Sequence, residues 1–194
     1  MSSFSPMKSS YFIRNCQPDM DATPQYGVAK RKIDDVTRKD FIDEIKEIRE
    51  PINANVKSGQ DGIRKVSAWR IPTKSYIGDH INFAVCDLNE IFNYRVSAIQ
   101  DIQYLRYNDG DFYVWHSDID SGAGSMRKIS ISYVLNSEFT GGELEIQHDG
   151  EKVLLADKSN TLIAFTSFLH HRVRPVKTGI RECIVAWING ESWR

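Results

Sequence analysis

The chain has 194 residues, 41% of them hydrophobic and 26% charged, a length and balance that suit one globular domain around a single core. Lys and Arg total 25 against 26 Asp and Glu, and the formal net charge of −1 gives no general attraction to phosphate backbones, so the composition speaks against a nucleic-acid partner. No apolar run is long enough to cross a bilayer, and the opening MSSFSPMKSS lacks a basic segment followed by a sustained apolar stretch, so the expectation is a cytoplasmic protein with no membrane anchor.

Residues 1–30 are polar and poorly periodic and read as a flexible N-terminal arm, leaving 31–194 as the working domain. The basic run Lys30-Arg31-Lys32, followed at once by Asp34 and Asp35, reads as the solvated approach to a helix. From Thr37 the apolar positions Phe41, Ile42, Ile45 and Ile48 recur at helical spacing, with Pro51 just beyond the charged last turn. A second amphipathic helix is predicted from about Ile77 to Phe92, where Ile77, Ile81, Val85, Leu88 and Phe92 share one face. Both are expected to pack on the back of a sheet.

After Asn93 the chain turns to short β-rich stretches divided by polar turns, the pattern of a sandwich or barrel. Strands are predicted over Tyr94–Tyr107, Phe112–Ser117, Lys128–Leu135, Glu143–Gln147, Thr161–Phe165, His171–Val176 and Glu182–Ile188. Asn108-Asp109-Gly110 and His148-Asp149-Gly150 supply the positive-φ positions of tight turns. Cys16, Cys86 and Cys183 are odd in number and form no CxxC pair, which argues for reduced, structural thiols rather than a disulfide framework or a thiolate zinc site.

Side chains two apart on a strand share a face, so His116 and Asp118 in the Phe112–Asp118 stretch are expected to point together into a barrel mouth. A second histidine would complete a two-histidine, one-carboxylate triad, whose open positions suit non-haem Fe(II) oxygen chemistry. The downstream candidates are His148, His170 and His171; His148 falls in a hairpin turn, which leaves the adjacent pair.

From about Arg64 to Ile188 the sequence resembles the prolyl 4-hydroxylase-like branch of the Fe(II)/2-oxoglutarate dioxygenases, including the bacterial PKHD-type hydroxylases. The marks are Tyr107-Asn108-Asp109-Gly110 ahead of His116-Ser117-Asp118, then Leu135-Asn136, Gly141-Gly142-Glu143-Leu144, and a closing block from His171 to Arg181 ending in Ala186-Trp187. The resemblance implies a mostly β fold with supporting α-helices, a double-stranded β-helix or jelly roll, and matches the distal metal histidine to His171. It matches Arg181 to the basic residue that binds the far carboxylate of 2-oxoglutarate, a contact a guanidinium can make with two parallel hydrogen bonds. Tyr107 matches a tyrosine lining the co-substrate pocket. One departure stands out: many relatives carry a pocket tyrosine directly before the Leu-Asn pair, whereas this chain has Val134 there and Tyr133 one place earlier. Alternation turns Tyr133 away from the pocket and gives Ser130 and Ser132 the face of Val134. Ile119–Met126 reads as a flexible connection that can fold over the site, and Trp115 and Trp187 as core or rim packing.

The implied activity is hydroxylation with Fe(II), 2-oxoglutarate and O2, with ascorbate as a candidate addition, forming succinate and CO2. The implied substrate is a proline-containing peptide or protein, with a free amino acid or small metabolite as the alternative. Two other classes remain open: a cupin-like binding domain without catalysis, and a zinc hydrolase using the same His/Asp/His set, which would have no need for Arg181.

Overall fold

The structure is a computed structural model that describes residues 27–47, 62–148, 150–155 (backbone only from 151) and 159–193. Chain order is β1 (Val28–Lys32), α1 (Asp35–Lys46), β2 (Arg64–Lys65), β3 (Ser67–Ile71), α2 (Tyr76–Phe92), β4 (Val96–Tyr107), β5 (Phe112–His116) and β6 (Arg127–Val134). Then follow β7 (Phe139–Gly141), β8 (Leu144–His148), β9 (Glu151–Leu155), β10 (Thr161–Thr166), β11 (His171–Val173), β12 (Val176–Gly179) and β13 (Arg181–Gly190).

The expected domain start at residue 31 falls inside β1, which pairs antiparallel with β10 at one edge of a sheet. The basic run therefore lies on a strand rather than on a helix approach: Arg31 pairs with Asp87 and covers the Phe83 ring on α2, which anchors this edge to the helix. The part of the expected arm from 1 to 26 lies outside the described residues, as do Ile48 and Pro51 of the first helical pattern.

Both helices begin where a side chain caps them. Asp34 accepts from the Thr37 amide at 2.8 Å, and Ser75 accepts from the Gly78 amide at 3.1 Å, each satisfying a first-turn N–H that has no partner inside the helix. α2 ends at Asn93 in the left-handed region (φ 54°), and the buried Asn89 side chain bonds both the N–H and the C=O of Tyr94. That pinning delays β4 to Val96, two residues beyond the predicted start. α2 buries Ile77, Ile81, Val85, Leu88 and Phe92, the predicted apolar face, against Ile102, Ile129, Ile184 and Ile188 of the sheet. Each such side chain contributes about 1.5–3 kcal/mol on full burial.

Two antiparallel sheets make the jelly roll. One has the order β1-β10-β6-β13-β4-β3 and carries the helices on its outer face; the other has the order β2-β5-β11-β8-β9. Leu105, Val134 and Cys183 of the first sheet meet Val173 of the second in one cluster, and Ile163 and Phe165 meet Leu144 and Ile146 in another, so the sheets close face to face around an interior. The predicted strand His171–Val176 breaks after Val173, because Pro175 has no N–H for the ladder, and resumes as β12, which pairs with β7 in a separate ribbon. No helix of the described residues is long and apolar enough to cross a membrane. Cys86 is disulfide-bonded while Cys183 is free and buried, which corrects the expectation of three reduced thiols: an odd count forbids complete pairing but permits one pair.

Candidate active site

Among the described residues one group of side chains has the make-up and spacing of a metal site: His116, Asp118 and His171 offer two imidazole nitrogens and a carboxylate oxygen within 4.8 Å of one another. Strand pairing produces it. His116 on β5 and His171 on β11 are register partners, so their side chains stand side by side on the interior face, with ring centroids 4.1 Å apart. Asp118 arrives differently from the expectation. β5 ends at His116, and the Asp118 amide bonds the Ser167 carbonyl at 3.0 Å, so the carboxylate reaches the cluster from a bend beyond the strand rather than by alternation along it.

The imidazoles are oriented from behind. His116 Nδ1 lies 2.8 Å from the Val114 carbonyl and His171 Nδ1 lies 3.0 Å from the Leu169 carbonyl. A carbonyl can only accept, so each Nδ1 carries a proton, and a neutral ring so held presents its lone pair at Nε2. Those Nε2 atoms lie 3.7 Å (His116) and 3.5 Å (His171) from the two Asp118 oxygens. Burial, reinforced by the adjacent His171 ring, pulls the His116 imidazole down to about 4, which keeps it neutral and able to ligate at neutral pH. Burial pushes the Asp118 carboxyl upward, but the two rings and hydrogen bonds from Ser130 and Trp187 outweigh it and hold the group below its ordinary value. The Ser130 hydroxyl donates at 2.6 Å. Two imidazole nitrogens and an ionised carboxylate form a donor set that fits a divalent first-row ion.

His170 is exposed, next to the buried His171, and His148 is the last residue of β8; neither joins the cluster.

The cluster opens into a pocket whose far wall comes from the helix-backed sheet. Arg181 is 1% exposed, so a full positive charge is buried in the pocket wall. It pairs in register with Tyr107 across β13 and β4, holds its guanidinium carbon 5.5 Å from the centre of the Tyr107 ring, and places Nη1 2.8 Å from Cys183 Sγ. Gly142, at φ +67°, makes room for it: a Cβ there would stand 3.0 Å from Arg181 Cδ and from Val176 Cγ2. Burial raises the Tyr107 phenol far above its ordinary value, so its hydroxyl is a neutral donor. A buried guanidinium beside a phenol donor fits a carboxylate ligand.

The strand between confirms the face argument. Ser132 lines the pocket and Ser130 holds Asp118, while Tyr133 turns to the opposite core and packs edge-on against Phe41 of α1. Two features escaped the sequence reading. Trp187, assigned to packing, lines the pocket and hydrogen-bonds Asp118; counting in twos from Arg181 along β13 through Cys183 and Val185 reaches it. Tyr113 stacks on His116, ring centroids 3.5 Å apart, because β5 bulges: residues 113 to 116 face only 173 to 171 of β11, which turns both rings inward.

The connection expected to be flexible is built instead. Ala123–Met126 forms a 3-10 turn, Asp120 accepts from the Gly122 and Gly124 amides at 2.7 and 2.9 Å, and Arg127 Nη1 donates to the Asp118 carbonyl at 3.0 Å. Gly124 is required by closeness, since a Cβ would stand 2.8 Å from that same carbonyl oxygen.

Two histidines from paired strands and an aspartate from the bend after β5, gathered inside a jelly roll, make a donor set of the mononuclear non-haem metal type. Residues 102–189, somewhat less than half of the chain, match the family model of the 2OG-Fe(II) oxygenase superfamily. A PKHD-type hydroxylase from Picosynechococcus is 31% identical over 101 residues; the match takes in 51% of this chain, and the chain spans less than half (45%) of that relative's length. Among solved structures, a prolyl-4-hydroxylase from Pseudomonas putida superposes with TM-score 0.70 at 18% identity, over 87% of this chain and 95% of that one. A prolyl hydroxylase from Trichoplax adhaerens, solved with a hypoxia-inducible-factor peptide fragment, gives 0.69 at 17% identity, over 86% and 84%. At such identities the structural likeness establishes the jelly-roll fold.

Proposed function

We propose that the protein is an Fe(II)- and 2-oxoglutarate-dependent hydroxylase acting on a prolyl residue of a peptide or protein. The observation that carries this reading is the presence, in one pocket, of a two-histidine, one-carboxylate cluster and a separate buried arginine. His116 and His171 through Nε2 and Asp118 through its carboxylate would hold the iron. Arg181 would grip the far carboxylate of 2-oxoglutarate, with Tyr107 as neighbouring donor. When bound, these groups supply the oxidation: O2, 2-oxoglutarate and a substrate C–H become succinate, CO2 and a C–OH.

The chain's own part is to position and exclude. The Val114 and Leu169 carbonyls fix the imidazole tautomers, while Ser130 and Trp187 fix the carboxylate. Leu144, Phe165 and Val173 give the pocket dry walls that strengthen each charged contact inside it. A zinc hydrolase or a non-catalytic cupin-like domain gives Arg181 no task. Proline as target is supported by the prolyl hydroxylases whose structures superpose on this fold, one of them solved with a peptide fragment. Proline's fixed φ also preorganises an extended peptide for binding.

The test is incubation with Fe(II), 2-oxoglutarate and O2, reading succinate and a gain of one oxygen atom by mass spectrometry. Proline-containing peptides are expected to gain oxygen and free proline is not. Efficient oxidation of free amino acids with a broad proline-peptide panel untouched would end the prolyl assignment and leave the iron chemistry standing.

A further inference from the structure

Arg64 is a charged pocket residue to which neither metal nor co-substrate gives a task. It sits on β2, the edge strand beside β5, and its guanidinium carbon lies 5.0 Å from the centre of the Tyr113 ring, which in turn stacks on His116. Guanidinium, phenol and imidazole thus form three layers ending at the metal cluster. The other pocket charges are engaged. Arg127 donates to Gln100 and to the Asp118 carbonyl, Asp118 belongs to the cluster, and Asp120 caps two glycine amides. Arg64 differs: its buried Nε has no hydrogen-bond partner among the described residues, and no ion pair of the described residues includes it. A partly buried cation with no anion beside it keeps part of its desolvation cost, and an arriving anion relieves that cost.

We propose that Arg64 is a specificity-determining residue that receives a carboxylate carried by the substrate, seated at the pocket rim beside the Tyr113–His116 stack. The proposal rests on the hydroxylase reading of the same site. Position separates this role from that of Arg181. Arg181 is fully buried on the strand β13, flanked by β6 and β4, whereas Arg64 is partly exposed on an edge strand, where a substrate enters. The Tyr113 ring supports the guanidinium plane and leaves its fork free for a bidentate carboxylate. That carboxylate has two possible sources: an Asp or Glu side chain near the target residue, or the α-carboxylate of a chain end or free amino acid.

The experiment is calorimetric titration of the Fe(II)- and 2-oxoglutarate-loaded protein, without O2, using one proline-containing peptide in five forms. These are doubly capped with Asp, Asn or Lys beside the proline; the Asn form with a free C-terminal carboxylate after the proline; and free L-proline. An acidic form is expected to bind roughly tenfold or more tighter than capped Asn, the loss of a charge-assisted contact. Which acidic form wins identifies the source of the carboxylate. Arg64→Gln should erase the preference without changing 2-oxoglutarate affinity, and Arg64→Glu should turn it toward Lys. Absence of a charge preference, absence of binding by every form, survival of the preference in Arg64→Gln, or a fall in 2-oxoglutarate affinity with the preference intact would each overturn the proposal. Because binding is read without turnover and 2-oxoglutarate is titrated separately, failure of the hydroxylase reading shows up as lost co-substrate binding and is told apart from failure of the Arg64 role.

Discussion

The two faces of β13 do different work, although they share one backbone. Ile184, Ala186 and Ile188 turn outward into the core beneath the helices, where burial and shape are all that matter. Arg181, Cys183, Val185 and Trp187 turn inward to the pocket, where charge and donor geometry matter instead. The strand's period of two sorts a continuous stretch of sequence into a structural set and a chemical set. Substitutions on the two faces should therefore fail in different ways.

The largest effect should come from breaking the inner face at the cluster. His171→Ala is expected to abolish Fe(II) binding and all 2-oxoglutarate turnover while the melting temperature of the metal-free protein stays close to that of the wild type. Its counterpart Ile184→Ala should do the reverse, losing about 2–5 kcal/mol of stability to denaturant because a fully buried side chain leaves a cavity, with metal affinity of the folded protein unchanged. Loss of metal affinity in both would show that the faces are coupled.

Next in size is Arg181→Gln. Removing the guanidinium should weaken 2-oxoglutarate by about 1.5–3 kcal/mol per hydrogen bond lost and leave Fe(II) affinity alone, as read by titrating each in turn. Trp187→Phe should then cost roughly 10–100-fold in metal affinity, because it removes a hydrogen bond that holds the Asp118 carboxylate. An unchanged metal titration would return Trp187 to the packing role the sequence suggested. The smallest effect should be Tyr133→Phe. That hydroxyl is buried with no partner among the described residues, so its removal is expected to be neutral or to stabilise by up to about 1–3 kcal/mol, with 2-oxoglutarate affinity unaffected.

The parts legible in the sequence were those where periodicity has one answer. The apolar face of α2, the orientation of Tyr133 and the serine face of β6 followed from period alone, and the His-x-Asp pair with its distant histidine followed from ligand chemistry and resemblance. The parts that escaped depend on contacts between distant segments. β1 carries a basic run whose strand character comes from pairing with β10 and α2, which no local pattern announces. The bulge that turns Tyr113 beside His116 is a property of two strands, as is the approach of Asp118 to Ser167. The Ile119–Met126 connection looked flexible because glycine and serine are common in loops, yet Gly124 is there to let the backbone approach Asp118 closely. Trp187 was read as packing because a tryptophan has that role far more often than it holds a carboxylate in a pocket.

The most direct test of the account is an anaerobic titration of Fe(II), followed by 2-oxoglutarate, into the wild type, His171→Ala and Arg181→Gln. One iron per chain in the wild type and in Arg181→Gln, none in His171→Ala, and 2-oxoglutarate held firmly only by the iron-loaded wild type is the predicted pattern. Normal iron binding by His171→Ala, or undiminished 2-oxoglutarate binding by Arg181→Gln, would contradict it.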